Sequence, residues 1–437
     1  MLIFLVNLAR AASPDFGGEF QSQIRLSPAG EFLDFQDSLM LSPRLTTQGD
    51  ITLVIDLDMR WSPFVELDTI EDAQDIESVQ PLSIRTEELW LQHSSTHFTT
   101  TIGMQNIRWG IGKGISQVNW MAPLDLRNPT IFSEHISVPA IKLAAHKQAV
   151  STEFIVQPWF VPALLPQADI SLFPTAVESF SIDGESLDIR SQEGRLITPS
   201  SNGKNIQLGG QAALHLSSFD IALFAFYGRD TLPQANGELL LMGFQTDRER
   251  VDIGIPLEYP TVITFGATGE LLLPLETLLW FEITHILPEE TQLVVSETQM
   301  QALTSLGTID EVPDPLPSIT TQNGEQYTKW LLGIERYFGD LILSGQWVHG
   351  LFIERQAPEL TNYFILHSDW AIRSTLRWNN TVMTDGAGIF LRSDVHWLVQ
   401  DEIDLGLGGL WVPPLQDSAL NNFNNTQQVY GSVSYIF

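Results

Sequence analysis

Gln427-Gln428-Val429-Tyr430-Gly431-Ser432-Val433-Ser434-Tyr435-Ile436-Phe437 alternates without a break and stops on an aromatic residue. Val429, Gly431, Val433, Tyr435 and Phe437 fall on one face, and Gln428, Tyr430, Ser432 and Ser434 on the other, with Ile436 the apolar intruder. Successive side chains of a strand point to opposite faces, so the stretch reads as an amphipathic strand whose apolar face is tipped by aromatics. A soluble sheet can use such a strand. A chain that ends on one, with Phe as the last residue, reads instead as the closing strand of an outer-membrane β-barrel. Val433, Tyr435 and Phe437 are then the expected signal for the barrel-assembly machinery.

The same grammar recurs upstream. In Asp50 to Trp61, Ile51, Leu53, Ile55, Leu57, Met59 and Trp61 form an apolar face against Asp50, Thr52, Asp56, Asp58 and Arg60. Trp370, Ile372, Leu376 and Trp378 oppose Arg373, Thr375 and Arg377, and Ile389, Leu391, Val395 and Trp397 oppose Arg392, Asp394 and His396. A strand of about twelve residues is longer than the ~5–6 usual in globular sheets and suits a tilted bilayer crossing. Aromatic ends such as Trp61, Trp378, Trp411 and Phe437 would form interfacial girdles. The expectation is an all-β, single-chain antiparallel transmembrane barrel of about 16–18 strands over 12–437.

Connections support it. Tight ones (Thr46 to Gly49, His93 to Thr96, Phe338 to Asp340, Gln400 to Glu402) alternate with long ones near 64–82, 107–136, 161–204, 288–325 and 413–426, as periplasmic turns alternate with extracellular loops. The stretch 238–260 fits either two membrane strands or an extension of an outer loop, and Thr298 to Leu306 is the best helix candidate.

Composition narrows the function. Lys plus Arg number 22 against 53 Asp plus Glu, a net charge of −31, which argues against a nucleic-acid partner. There is no cysteine, hence no disulfide framework, thiolate metal site or cysteine nucleophile. Met1 to Ala11 looks like the apolar core and small-residue cleavage site of a truncated signal peptide. No window holds the ~20 apolar residues of a membrane helix.

The most informative non-strand segment runs from Gly103-Met104-Gln105-Asn106-Ile107-Arg108-Trp109-Gly110-Ile111-Gly112-Lys113-Gly114 to Asn119-Trp120-Met121-Ala122-Pro123-Leu124-Asp125-Leu126-Arg127-Asn128. Gly103, Gln105, Trp109, Gly110, Pro123, Asp125 and Arg127 carry a resemblance to a family of uncharacterised Gram-negative outer-membrane proteins, distantly similar to the alginate-export porins. The chain departs from that pattern at Ala122, where the family tends to have Asn, and at Lys113, where it tends to have an acid. The resemblance extends loosely to Glu88, Glu282 and the closing strand, and it implies a channel or transporter with no stated cargo.

Three glycines within five residues suit a loop folded against a barrel wall, so 107–136 is expected to narrow the lumen. Arg108, Lys113, Asp125 and Arg127 would set its charge, with Asp56, Asp58, Arg60, Glu88, Gln105, Arg373, Arg377, Arg392 and Asp394 lining the pore, because rings of charged side chains select ions and solutes. The bland alternative is that Asp125 and Arg127 only tie the loop down. The acidic loops around Glu66 to Glu77 and Asp310 to Asp314 lack regular cation-ligand spacing. His215, His349 and His396, read as luminal, belong to no HExxH motif, and no Gly-x-Ser-x-Gly elbow occurs. No enzyme, metal or cofactor is expected. The reading is an outer-membrane channel in contact with lipid and lipopolysaccharide that passes a small solute by diffusion. The alternatives are a transporter for a hydrophobic or amphipathic molecule and a closed scaffold barrel.

Overall fold

The computed structural model describes residues 12–30, 32–47, 51–61, 82–126, 134–165, 179–182, 185–200, 203–244, 250–305, 312, 318–413 and 418–437. The segment read as a leader, Arg127, the acidic loop 66–77 and Asp310, Glu311 and Asp314 fall outside these residues. Asp56, Asp58 and Arg60 are described as backbone only.

Eighteen strands make one antiparallel sheet. In chain order they are β1 Ala12–Leu26, β2 Phe32–Thr47, β3 Ile51–Trp61, β4 Leu82–Ser94, β5 Phe98–Gln105 and β6 Val138–Lys147. Then come β7 Val150–Gln157, β8 Gln207–His215, β9 Phe219–Arg229, β10 Thr261–Leu273, β11 Thr277–Pro288 and β12 Tyr327–Phe338. The last six are β13 Leu341–His349, β14 Asn362–Arg373, β15 Leu376–Thr384, β16 Ile389–Gln400, β17 Ile403–Trp411 and β18 Gln428–Ile436. Each pairs with its sequence neighbours, and β18 returns to β1 through Glu19↔Ile436 to Leu26↔Val429. Closing the ring removes the unpaired edge that lipid could not satisfy. Both termini of the sheet lie at the end where every connection is short, and the other end carries all the long connections together with two short ones, β1 to β2 and β15 to β16.

The alternation sorts the two faces. Phe20, Ile24, Leu89, Phe154, Leu223, Phe265, Leu332, Leu366, Trp397, Leu407 and Val433 are exposed on the outer wall, and Trp378, Trp411, Tyr435 and Phe437 join them near strand ends. An apolar, aromatic-edged outer belt on a closed antiparallel sheet with long loops at one end is the architecture of a bacterial outer-membrane β-barrel.

The stretch 238–260 resolves as loop structure. Leu240–Phe244 and Arg250–Glu258 join Ser179–Ile182, Glu185–Leu196 and Gln234–Ala235 in a separate five-stranded sheet beyond the barrel. The helix expected near 298–306 spans Glu297–Ser305.

The barrel interior is not uniformly polar. Inward Leu331, Val348, Tyr363, Ile365, Met383, Phe390 and Leu410, toward the long-loop end of β12–β17, pack with loop residues Ile115, Leu126, Leu351, Ile353, Leu420 and Phe423. A second cluster joins Trp109, Val118 and Met121 to Val138, Ile155, Phe224, Phe226 and Ile286. Polar inward side chains prevail toward the short turns.

Candidate functional site

Residues 106–126 of the connection from β5 to β6 fold onto inward-facing side chains six to eight strands around the ring. Glu282 on β11, 1% exposed, is their main anchor. Glu282 Oε1 accepts from the backbone N–H of Ile111 at 2.6 Å and of Gly112 at 2.7 Å. Its Oε2 accepts from the Gln117 N–H at 2.6 Å and from Ser116 Oγ at 3.0 Å. A buried carboxylate with four donors is satisfied without a cation, because hydrogen bonds to a charged acceptor offset its desolvation.

The neighbouring strands extend the anchor. Gln346 on β13 grips Lys113 from both sides: its Oε1 accepts the Lys113 N–H at 3.1 Å, and its Nε2 donates to the Lys113 carbonyl at 2.6 Å. Lys113 Nζ pairs with Glu335 on β12 and lies over the Trp280 ring at 5.7 Å. Thr284 donates to the Gln117 carbonyl at 2.6 Å, and Gln117 Nε2 to the Gly350 carbonyl at 2.8 Å.

Local sequence makes the loop compact. Asn119 Oδ1 accepts from the N–H groups of Trp109 and Gly110 at 2.8 and 2.7 Å. Of the three clustered glycines only Gly114 has a positive φ, 81°. Gly112 is required for space, since a methyl there would run into the Ile115 carbonyl. Gly103, on β5 with φ 137°, leaves no room beside the Leu89 carbonyl. His135 donates through Nδ1 to the Ala122 carbonyl at 2.8 Å, which leaves Nε2 to accept from Asn119 Nδ2 at 3.4 Å. Burial, abetted by the Arg108 charge, pushes the imidazole down to about 4.

A second inward strap, residues 350–361, locks onto the first. Arg355 lies over the Trp120 ring at 5.7 Å and pairs with Asp230, Nε to Oδ2 at 2.5 Å and Nη2 to Oδ1 at 3.0 Å. Glu354 accepts from the Leu351 N–H at 2.7 Å and from Tyr363 Oη at 2.6 Å, while the fully buried Lys329 donates to the Leu351 carbonyl.

The residues expected to line the pore divide. Arg108 is exposed and donates to Asn106 Oδ1 at 3.0 Å, and Lys113 is 41% exposed. Asp125 and Gln105 are buried, at 1% and 4%. Gln105 Nε2 donates to the Ala140 carbonyl at 2.8 Å, beneath the loop. Glu88 faces inward, accepts from Trp90 Nε1 at 2.9 Å and sits opposite Asp56 in the ladder. Arg377 and Arg392 hold carboxylates of their own wall, Asp369 at 3.0 Å and Asp394 at 2.7 Å, and Tyr430 also donates to Asp394. Arg373 and Arg377 border a cavity of about 390 Å³ near the short turns, with Asn379, His396 and Asp404.

His349, read from sequence as luminal, lies on the outer wall and stacks on Trp330 at 5.5 Å. It is the last residue of β13, where alternation carries it outward with Trp347. Sequence reasoning missed Glu335, Gln346, Asn119 and the Arg355–Asp230 pair. They are single polar residues inside otherwise ordinary strands and turns.

No protein-family model matches the chain, and no curated protein does. Among solved structures it is similar to OccAB1 of Acinetobacter baumannii, at 8% identity over 98% of this chain and 96% of that one, with a TM-score of 0.49. OccAB3 of the same organism gives 6% identity, 98% and 99% coverage and 0.49. Pseudomonas aeruginosa OccK2, solved with glucuronate, gives 9%, 98% and 98% and 0.47.

Proposed function

We propose that the chain is an outer-membrane channel that passes a small solute by diffusion through a polar, mixed-charge lumen narrowed by the 107–136 loop. The observation that carries this reading is the anchoring of that loop, which leaves β5 and is held by Glu282, Glu335 and Gln346 on β11–β13. An eighteen-stranded barrel is wide enough for an aqueous passage, and a loop strung across it sets the narrowest point. Among the loop's described residues the exposed charges are Arg108 and Lys113. Arg373, Arg377 and Arg392 on β14–β16 stand among Asp369, Asp394 and Asp404 of the same wall, and Glu88, Glu153, Asp220 and Glu270 are inward on other strands, a mixed-charge lining for a passing solute. Lipid, lipopolysaccharide and the barrel-assembly machinery are the partners this reading implies. Kinship with the family distantly similar to the alginate-export porins rests on residues with structural roles: Gly103 packs against the Leu89 backbone of β4, Gln105 bonds to the Ala140 carbonyl of β6, and Trp109 and Gly110 bond to Asn119.

A second reading, a gated transporter, is favoured by the apolar packing of Leu351, Ile353, Leu420 and Phe423 against inward residues of β12–β17. One experiment separates the two. Purified protein in a planar bilayer gives steady single-channel steps whose ion preference shifts with Lys113→Glu if the lumen is open. A folded, inserted barrel that stays silent overturns the diffusion channel in favour of the gated form.

A further inference from the structure

The outer wall carries a hydrogen-bonded polar stripe within its apolar belt. Ser368 on β14, Asn380 on β15 and Ser393 on β16 are direct partners in the ladder, and Gly409 on β17 continues the row. They are linked side chain to side chain. Trp378 Nε1 donates to Ser393 Oγ at 2.9 Å, Ser393 Oγ donates to Asn380 Oδ1 at 2.8 Å, and Asn380 Nδ2 donates to Ser368 Oγ at 3.3 Å. Leu366, Val382 and Leu391 lie toward the long loops and Trp370, Trp378 and Trp397 toward the short turns. The stripe is thus bracketed by apolar side chains on both sides. His285 and His349, also polar on the outer wall, sit near strand ends, where headgroups and water can satisfy them.

The stripe is not saturated. A primary amide has two N–H donors and two acceptor sites on oxygen, and a hydroxyl has one donor. Among the described residues one Asn380 N–H, one Asn380 Oδ1 acceptor site and the Ser368 hydroxyl hydrogen have no recorded partner. Facing hydrocarbon, such groups are costly, because lipid tails offer neither donors nor acceptors. The row also has a recess: a Cβ at Gly409 would touch only the Gln428 carbonyl, at 3.6 Å.

We propose that this stripe is a self-contact surface, where a second copy of the chain docks in the membrane across a two-fold axis passing near Asn380. A two-fold contact is isologous, so the patch must complement itself. A carboxamide does so, each copy donating an N–H to the other's oxygen. Strands tilt, and the axis stands along the bilayer normal, so the two stripes cross and the residue nearest the axis meets its own counterpart. Small Ser and Gly side chains let the two backbones approach, and polar side chains joined across a lipid-facing contact hold it. The surface goes beyond the channel reading and involves none of the luminal groups.

The chain has no cysteine, which makes the test direct. Full-length protein carrying Asn380→Cys is reconstituted at a series of protein-to-lipid ratios and oxidised, beside Thr152→Cys on the outward face of β7. Disulfide-linked dimer from position 380 and none from 152 is expected. Asn380→Leu is expected to weaken dimerisation about tenfold, the worth of roughly 1.4 kcal/mol, with Ser393→Ala as a second, milder variant. Its heat-dependent gel mobility and its conductance should match the wild type, so failure of the channel reading is read separately. A wild-type barrel that is monomeric at every ratio, or equal cross-linking from 152 and 380, overturns the proposal.

Discussion

Glu282 Oε1 lies 2.7 Å from the amide nitrogen of Gly112, across 170 positions of sequence. The contact joins the wall of the barrel to the tip of the loop folded within it, and the same carboxylate holds Ile111, Ser116 and Gln117. Glu282→Gln replaces one acceptor oxygen with an NH₂ group aimed at N–H donors. With charge-assisted bonds at ~1.5–3 kcal/mol each, the loop should lose about 3 kcal/mol of anchoring while the barrel still closes. The expected outcome is an inserted, heat-modifiable protein whose single-channel current is larger and noisier. Unchanged current would detach the loop from control of the passage.

Lys113 sets a second expectation. Its ammonium is 41% exposed while Glu335 beneath it is buried at 2%, so the pair offers the lumen a cation and hides the anion. Lys113→Ala uncovers the carboxylate and should move the reversal potential in a salt gradient toward cation preference. Glu335→Gln should move it the other way. Arg336→Gln, on the outer face of the same strand, should leave it unchanged, which separates local charge from a general disturbance.

The outer wall was legible in the sequence because one physical rule writes it: lipid contact on one face and none on the other enforces a period of two. That rule placed Leu53, Trp378, Trp397 and the closing strand correctly and bounded the strand number. It says nothing about what fills the interior. Tyr363-Phe364-Ile365-Leu366, apolar at every position, is the signature of a strand covered on both faces. There the outward residues meet lipid and the inward ones meet the packed loops. The loop was visible through its glycines and Glu282 through the resemblance, but the anchoring roles of Glu282 and Gln346 are recognisable only once β11 and β13 are placed across the ring from β5. His349, read as luminal, has the parity of Trp347 along β13, which puts it on the outer wall.

His135 gives the loop a pH dependence. Its folded imidazole is held neutral, with the pKa pushed down to about 4 by burial, whereas in a released loop it would titrate near its ordinary 6.5. Between those values the released state takes up a proton that the seated state refuses, so seating is fully favourable above pH 6.5 and is lost progressively as pH falls to about 4. The shift corresponds to at most about 3 kcal/mol. Amide exchange within 106–126 should therefore quicken as pH drops across this window, after correction for intrinsic exchange. His135→Gln, which keeps a donor for the Ala122 carbonyl, should flatten the profile. A wild-type profile already flat would show that the imidazole is not confined as the contact to Ala122 implies.

Closure of the ring rests on a reciprocal pair at the last residue. The Gly18 N–H donates to the Phe437 carbonyl and the Phe437 N–H to the Gly18 carbonyl, both at 3.0 Å, and the Phe437 ring covers the place where a Gly18 side chain would stand. Removing Phe437 deletes both bonds and shortens the β1–β18 ladder at Gly18, which should cost about 2 kcal/mol of closure. Gly18→Val should act similarly by displacing the ring and pressing on the Met40 carbonyl. Both changes lie at the short-turn end, far along the wall from Glu282 and Lys113. The expected result is a lower yield of folded, heat-modifiable protein with wild-type conductance in the molecules that insert. Normal yield with altered conductance would mean that the terminal aromatic acts on the lumen and not on closure.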